Sequence, residues 1–139
     1  MKPLRILVMG LPGSGKTYFS QKLTEKMGCA YFNADKLRKM SNDWDFSNEG
    51  RMRQSRRMKT YSMFEKKNGR MSVCDFICPT KETRDHFNAD YVIWINTIIE
   101  GRYEDTNKIF ENPSKVDYLV TEKNAEKHID IVIGAINDF

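Results

Sequence analysis

Near the amino end, Gly10-Leu11-Pro12-Gly13-Ser14-Gly15-Lys16-Thr17 follows the spacing G-x-x-x-x-G-K-[ST], directly after the apolar run Leu4-Arg5-Ile6-Leu7-Val8-Met9. A glycine-rich turn of this kind lets successive backbone N–H groups and the start of a following helix converge on phosphate oxygens. The lysine of such a loop reaches the β- and γ-phosphates of a nucleoside triphosphate, and the hydroxyl after it takes a position on Mg²⁺. The spacing therefore predicts a bound nucleotide, ATP or GTP, with Mg²⁺. Gly10 to Thr17 and the adjoining Tyr18 form its binding segment, with Lys16 also acting on the transferred group.

Transfer of a phosphoryl group needs an acceptor hydroxyl in line with the γ-phosphate, cations to offset charge, and in many cases a carboxylate for the acceptor's proton. Two carboxylates are placed for these jobs. Asp35 follows the apolar segment ending at Asn33, where it accepts the proton or orients the hydroxyl; its structural alternative is the N-cap of the next helix. Asp75 follows Met71-Ser72-Val73-Cys74, the form of a strand whose terminal carboxylate holds Mg²⁺ through water. The two roles are interchangeable at this level.

A third group lies in Arg51-Met52-Arg53-Gln54-Ser55-Arg56-Arg57, the start of a helical pattern with almost no apolar stripe in its first two turns. Either it presents Arg51, Gln54 and Arg56 or Arg57 to an anionic substrate, or it is a solvated basic face. Phe46, just ahead, either stacks on a planar group or serves as a hydrophobic staple of a helix capped by Ser47.

Apolar β-rich runs near 4–9, 29–33, 71–77, 91–95 and 117–120 alternate with helical patterns near 15–27, 34–41, 48–67, 80–87, 99–106 and 123–137. The last has Ala125, Ile129, Val132, Ile133 and Ile136 on one stripe. This alternation predicts a three-layer α/β fold, a parallel sheet of about five strands between helices, in which ligands bind beyond the carboxyl ends of the strands. With 139 residues and no linker or repeat, a single domain over residues 1–139 is expected. The net charge of +4 suits small anionic substrates as readily as nucleic acid. No apolar run approaches the roughly 20 residues that span a bilayer, and no signal-peptide pattern precedes the first strand, so a cytoplasmic protein without membrane contact is expected. Cys29, Cys74 and Cys78 are odd in number and read as reduced, buried thiols instead of a disulfide or zinc framework.

Together these residues resemble the adenylylsulfate kinase family of P-loop kinases, which phosphorylate the ribose 3′-hydroxyl of adenylyl sulfate with ATP. The resemblance rests on Gly10 to Thr17 with Tyr18-Phe19-Ser20, Asn33-Ala34-Asp35-Lys36-Leu37-Arg38, Phe46-Ser47 leading to Arg51, Gln54 and Arg56-Arg57, and Phe76-Ile77-Cys78-Pro79 followed by Arg84. It covers about the first two-thirds of the chain. It implies that Asp35, Arg38, Phe46, Arg51 and Gln54, together with Ile77, Cys78 and Pro79, hold adenylyl sulfate, with Phe46 stacking on adenine. Lys16 and Thr17 then fall on ATP and Mg²⁺, and Asp35, Lys16 and Arg38 are the residues acting on the reaction. It also implies a homodimer, for which the helix around Met58 to Phe64 offers apolar residues.

The chain departs from the family in carrying Gln54 where Asn is usual and Asp75 where Ser is common. It is also short between the fourth and fifth strands, where the family has a basic lid. Only Arg102 and Lys108 supply cations there. A reduced lid admits water and a different acceptor, so a kinase of another nucleotide, a sugar or a modified base is the second reading. A nucleotide-gated module binding nucleic acid through the arginine cluster is the third. Asp35 beside that cluster opposes it, since a carboxylate there repels phosphate strands.

Overall fold

The computed structural model describes residues 2–99, 101 and 103–139; Arg102 lies outside the described residues. Five strands form one parallel sheet in the order β2-β3-β1-β4-β5: β1 (Arg5–Met9), β2 (Ala30–Asn33), β3 (Ser72–Asp75), β4 (Tyr91–Ile95) and β5 (Tyr118–Val120). The helices are α1 (Lys16–Met27), α2 (Ala34–Ser41), α3 (Asn48–Lys67), α4 (Lys81–Phe87), α5 (Glu104–Ile109) and α6 (Ala125–Asn137). The expected three-layer α/β architecture is present. Adjacent residues of β1 point to opposite faces, as a strand's pleat requires. Ile6 and Val8 pack with Phe19, Leu23, Ile129 and Ile136 under α1 and α6, while Leu7 and Met9 pack with Leu37, Met58, Cys74 and Phe87 under α2, α3 and α4.

Two expectations change. The helix expected at 99–106 forms instead over Glu104–Ile109, because the Asn107 side chain clamps Gly101, accepting from its N–H at 2.7 Å and donating to its carbonyl at 3.0 Å. Met58, expected on an interface, is fully buried in the core; the apolar residues that α3 exposes are Tyr61 and Phe64. Cys74 and Cys78 are buried free thiols, pushed up to about 12 by that burial, and Cys29 is a half-buried free thiol.

At the end of the sheet away from the phosphate loop, the Arg5 guanidinium donates to Ser62 Oγ and to the carbonyls of Phe87 and Asn88, all at 2.9 Å. It thereby ties α3 and the end of α4 to β1. Among the described residues no helix is long and apolar enough to cross a membrane.

Candidate active site

The loop after β1 is shaped by backbone that a side chain would disrupt. Gly10 has φ +152, and a Cβ there would lie 2.5 Å from the Ile95 carbonyl oxygen. Gly15, at φ +100, caps α1 without any side-chain hydrogen bond, so the first N–H groups of that helix keep their capacity to bind an anion. The loop is held from outside: Thr97 Oγ1 donates to the Ser14 carbonyl at 2.7 Å, and Lys123 Nζ to the Gly13 carbonyl at 3.2 Å. Lys16 Nζ reaches back to the Leu11 carbonyl at 3.3 Å. Ser14 Oγ is buried without a hydrogen-bond partner among the described residues. A buried, unpaired hydroxyl beside free helix N–H groups is what a phosphate would satisfy. Tyr18 is half-exposed, with its hydroxyl donating to Glu126 Oε1 at 2.6 Å.

β3 brings the second carboxylate to this loop, since Asp75 pairs in register with Val8 of β1 and Asn33 of β2. Asp75 is buried, and its Oδ2 accepts from Tyr31 Oη at 2.8 Å and Asn33 Nδ2 at 3.0 Å. The same Asn33 amide lies 3.5 Å from Thr17 Oγ1, so the loop hydroxyl and the strand-end carboxylate share one network. Burial, and then the Asp75 carboxylate, raise the Tyr31 phenol above its ordinary value, which keeps it a neutral donor. A hydroxyl and one carboxylate are a fitting protein share of a Mg²⁺ site, because this ion retains waters and takes substrate phosphate oxygens. No cluster of three or more His, Cys, Asp or Glu able to hold a metal occurs among the described residues. Tyr31 and Asn33 were not assigned a role from sequence; a Tyr-x-Asn alternation beside an acid-ending strand was the signal available.

Asp35 sits in the first turn of α2, exposed, but it is Asn33 that caps this helix, its Oδ1 accepting from the Lys36 N–H. The Asp35 carboxylate is thus left out of the cap. Arg38, by contrast, is buried and donates to the carbonyls of Asp43 at 3.0 Å and Asp45 at 3.1 Å. Its guanidinium lies 4.3 Å from the centre of the Phe46 ring, and half of Phe46 remains exposed. Ser47 caps α3 as expected, accepting from the Gly50 N–H at 3.2 Å. Phe46 meets Arg51 of that first turn by ring and guanidinium, 5.7 Å apart, where a staple would place an apolar residue.

The basic turns of α3 split in several directions. Arg51 donates from Nε to the Phe46 carbonyl at 2.9 Å and faces a pocket. Gln54 is buried, donating to the Ala34 carbonyl at 2.9 Å and accepting from Arg57. Arg53 and Arg57 both donate to the Asp43 carboxylate, at 2.7 and 2.8 Å. Arg56 lines a separate hollow of about 520 Å³, formed by α3 together with His86 of α4, to which the phosphate loop contributes nothing.

A smaller pocket, about 210 Å³, is bounded by Phe46, Arg51, Pro79, Thr80, Asp105 and Ile109 among others. It unites three residues expected at an acceptor, Phe46, Arg51 and Pro79, which come from separate segments. Gln54 and Arg38 stand behind this wall. Cys78 is buried with φ 47, and Ile77 is half-buried. Arg84 fixes this turn, donating to the Cys78 carbonyl at 2.9 Å and the Pro79 carbonyl at 3.1 Å. Asp105 was not singled out from sequence; it carried no signal beyond lying in the shortened segment after β4.

The model of the adenylylsulphate kinase family matches residues 2–100. A cytidine diphosphoramidate kinase of Campylobacter jejuni is 27% identical over 142 residues, which cover 99% of this chain and 80% of that protein. Among solved structures, the APS kinase of Mycobacterium tuberculosis in complex with AMPPNP and APS superposes with a TM-score of 0.79 at 17% identity, covering 96% of this chain and 97% of that one. A shikimate kinase from Aquifex aeolicus gives 0.69 at 15% identity, covering 97% of each chain. These last two are likenesses of fold, shared by kinases with different acceptors. With its phosphate loop, its strand-end carboxylate and a family match over most of its length, this chain belongs to the adenylylsulphate kinase family of P-loop kinases.

Proposed function

We propose that this protein transfers the γ-phosphoryl group of ATP to a ribose hydroxyl of a small nucleotide, with the 3′-hydroxyl of adenylyl sulfate as the first acceptor to consider. The observation that carries this reading is the convergence of Phe46, Arg51 and Pro79 on one pocket beyond the strand ends, on the side of the sheet where Asp35 is free of its helix cap. The acceptor oxygen forms its bond to the γ-phosphorus as the bond to the bridging oxygen of ADP breaks, and the hydroxyl proton passes to Asp35. Lys16 and the N–H groups of Gly13 to Thr17 hold the phosphates. Thr17 and Asp75 would hold Mg²⁺, which would supply positive charge to offset that developing on the transferred phosphoryl group. Arg38 serves by holding Phe46 and the 43–46 segment in place, and Gln54 by fixing α3 against α2. Ile77, Cys78 and Pro79 shape the acceptor wall.

A second acceptor class has its own support. The relative similar over nearly the whole chain is named for cytidine diphosphoramidate, and a nucleotide with a modified diphosphate has the same elements as adenylyl sulfate: a base, a ribose and an anionic tail. The bases in both names carry an exocyclic amino group beside a ring nitrogen.

The test is ADP release from ATP in the presence of Mg²⁺ and, in turn, adenylyl sulfate and cytidine diphosphoramidate, with phosphate incorporation into the acceptor confirmed by mass. One of the two should stimulate release, and Asp35→Asn should lower kcat by about 10²–10⁴-fold while ATP binding is retained. Absence of phosphate incorporation into any nucleotide acceptor would overturn the proposal.

A further inference from the structure

The pocket of about 210 Å³ holds one carboxylate, Asp105, that the phosphate loop, the Asp75 network and the acceptor hydroxyl leave unused. It stands in the first turn of α5, exposed, with no hydrogen bond or ion pair among the described residues, and the clamp between Asn107 and Gly101 fixes the turn that carries it. Arg51 lines the same pocket, and its Nε is committed to the Phe46 carbonyl, so that its remaining N–H groups are the ones available to a ligand. Burial lowers the Arg51 guanidinium from its ordinary value, and the nearby charge of Asp105 opposes that shift. The exposed half of Phe46 lines the same pocket, its ring centre 4.3 Å from the Arg38 guanidinium and 5.7 Å from that of Arg51. Pockets for drug-sized ligands run upward from about 300 Å³, so this one takes a single ring system, with the rest of the ligand outside it.

The chemistry of these three groups defines an edge. A carboxylate can only accept hydrogen bonds, a guanidinium can only donate them, and an aromatic face accepts a flat ring. The matching ligand is planar and presents a donor next to an acceptor. An amino-substituted base has that order, an exocyclic N–H₂ beside an unprotonated ring nitrogen, as in adenine and cytosine. Hypoxanthine, guanine and uracil present a carbonyl beside a ring N–H, the reverse order, and would place an oxygen against the Asp105 carboxylate.

Resting on the nucleotide-kinase reading, we infer that Asp105 and Arg51 select the acceptor by its base, admitting an amino-substituted ring stacked on Phe46 and rejecting its keto counterpart. Asp105 is then a specificity-determining residue on a segment that follows β4, separate in sequence from every other residue of the acceptor wall except Ile109.

The experiment compares matched acceptors differing only in that edge: adenylyl sulfate with inosinyl sulfate, and the cytidine with the uridine form of the diphosphoramidate. For each pair kcat/KM is measured with the native protein, Asp105→Asn and Asp105→Ala. Binding is read in parallel from the fluorescence of Trp44, two residues from Phe46. The native protein should favour the amino member of a pair by at least about tenfold, the worth of one hydrogen bond to a charged group. Asp105→Asn, whose amide can donate to a carbonyl, should bring the ratio near one or invert it, and Asp105→Ala should lose the amino preference without gaining on the keto member. The same amino-to-keto ratio in native protein and Asp105→Asn would overturn the inference, as would equal losses on both members, which is what a mere support of Arg51 predicts. If no acceptor is phosphorylated, the kinase reading fails by itself, and the base preference is decided by the binding ratios alone.

Discussion

Asp43 shows how a single side chain decides what a basic segment can do. Its carboxylate accepts from Arg53 Nε at 2.7 Å, Arg53 Nη2 at 3.0 Å and Arg57 Nη2 at 2.8 Å. Two of the arginines that made α3 look like an anion-binding face are therefore occupied within the protein, and Arg51 is left to the pocket. The hydrogen bonds from Arg53, then those from Arg57, hold the Asp43 carboxyl below its ordinary value of 3.8. The sign of the resulting pH dependence follows: a carboxylate depressed in the folded state adds stability at pH values above its unfolded value, and that stability is lost as pH falls from about 4. Asp43→Asn should lower the urea midpoint at pH 7, and the difference from native protein should shrink on going from pH 5 to pH 3. A constant difference across that range would assign the effect to packing instead of charge.

At the level of elements, the wall of the pocket of about 210 Å³ depends on how α4 begins. Thr80 Oγ1 accepts from the Thr83 N–H at 3.1 Å while Thr83 Oγ1 accepts from the Thr80 N–H at 3.2 Å, a reciprocal cap that closes the free N–H groups of the first turn. Thr83 is buried under α3, where Ser55 Oγ meets its carbonyl at 3.5 Å. Thr83→Ala should cost about 1 kcal/mol, measured by urea denaturation, and Thr83→Ser should recover most of it because the capping hydroxyl is retained. Thr83→Ala should raise the acceptor KM more than the ATP KM, since Pro79, Thr80 and Thr83 line the pocket proposed for the acceptor. The pocket is also bounded by α5, six residues long and secured by Asn107.

For the whole molecule, the phosphate loop is the point at which ligand binding and folding meet. It joins β1 to α1 and is pinned from the segments after β4 and β5 by Thr97 and Lys123. A nucleotide bound only to the folded state, at 100 times its dissociation constant, adds about 2.7 kcal/mol, or roughly 10 °C in Tm for a domain of this size. MgATP should produce a rise of that order in a thermal melt, and Lys16→Ala should remove most of it while leaving the melt of the free protein within a few degrees. Much of this architecture was legible in the chain. Apolar runs bounded by polar segments gave all five strands, and the stripe of Ile129, Val132 and Ile136 gave the face that α6 buries, because burial of a regular element imposes its period on the sequence. The phosphate loop was legible because its chemistry demands glycines at fixed places in a contiguous run. Far less legible was α3, whose buried stripe is Gly50, Gln54, Ser55, Met58 and Ser62; a polar group takes a burial position readily where a neighbouring carbonyl satisfies it, as Ala34 does for Gln54. The sequence by itself thus determined the fold and the phosphate-binding half of the site, since both are written in local spacing. The tertiary structure alone decided which arginine faces the pocket and that Asp105 shares it with Arg51, because each of these depends on partners brought together from distant segments.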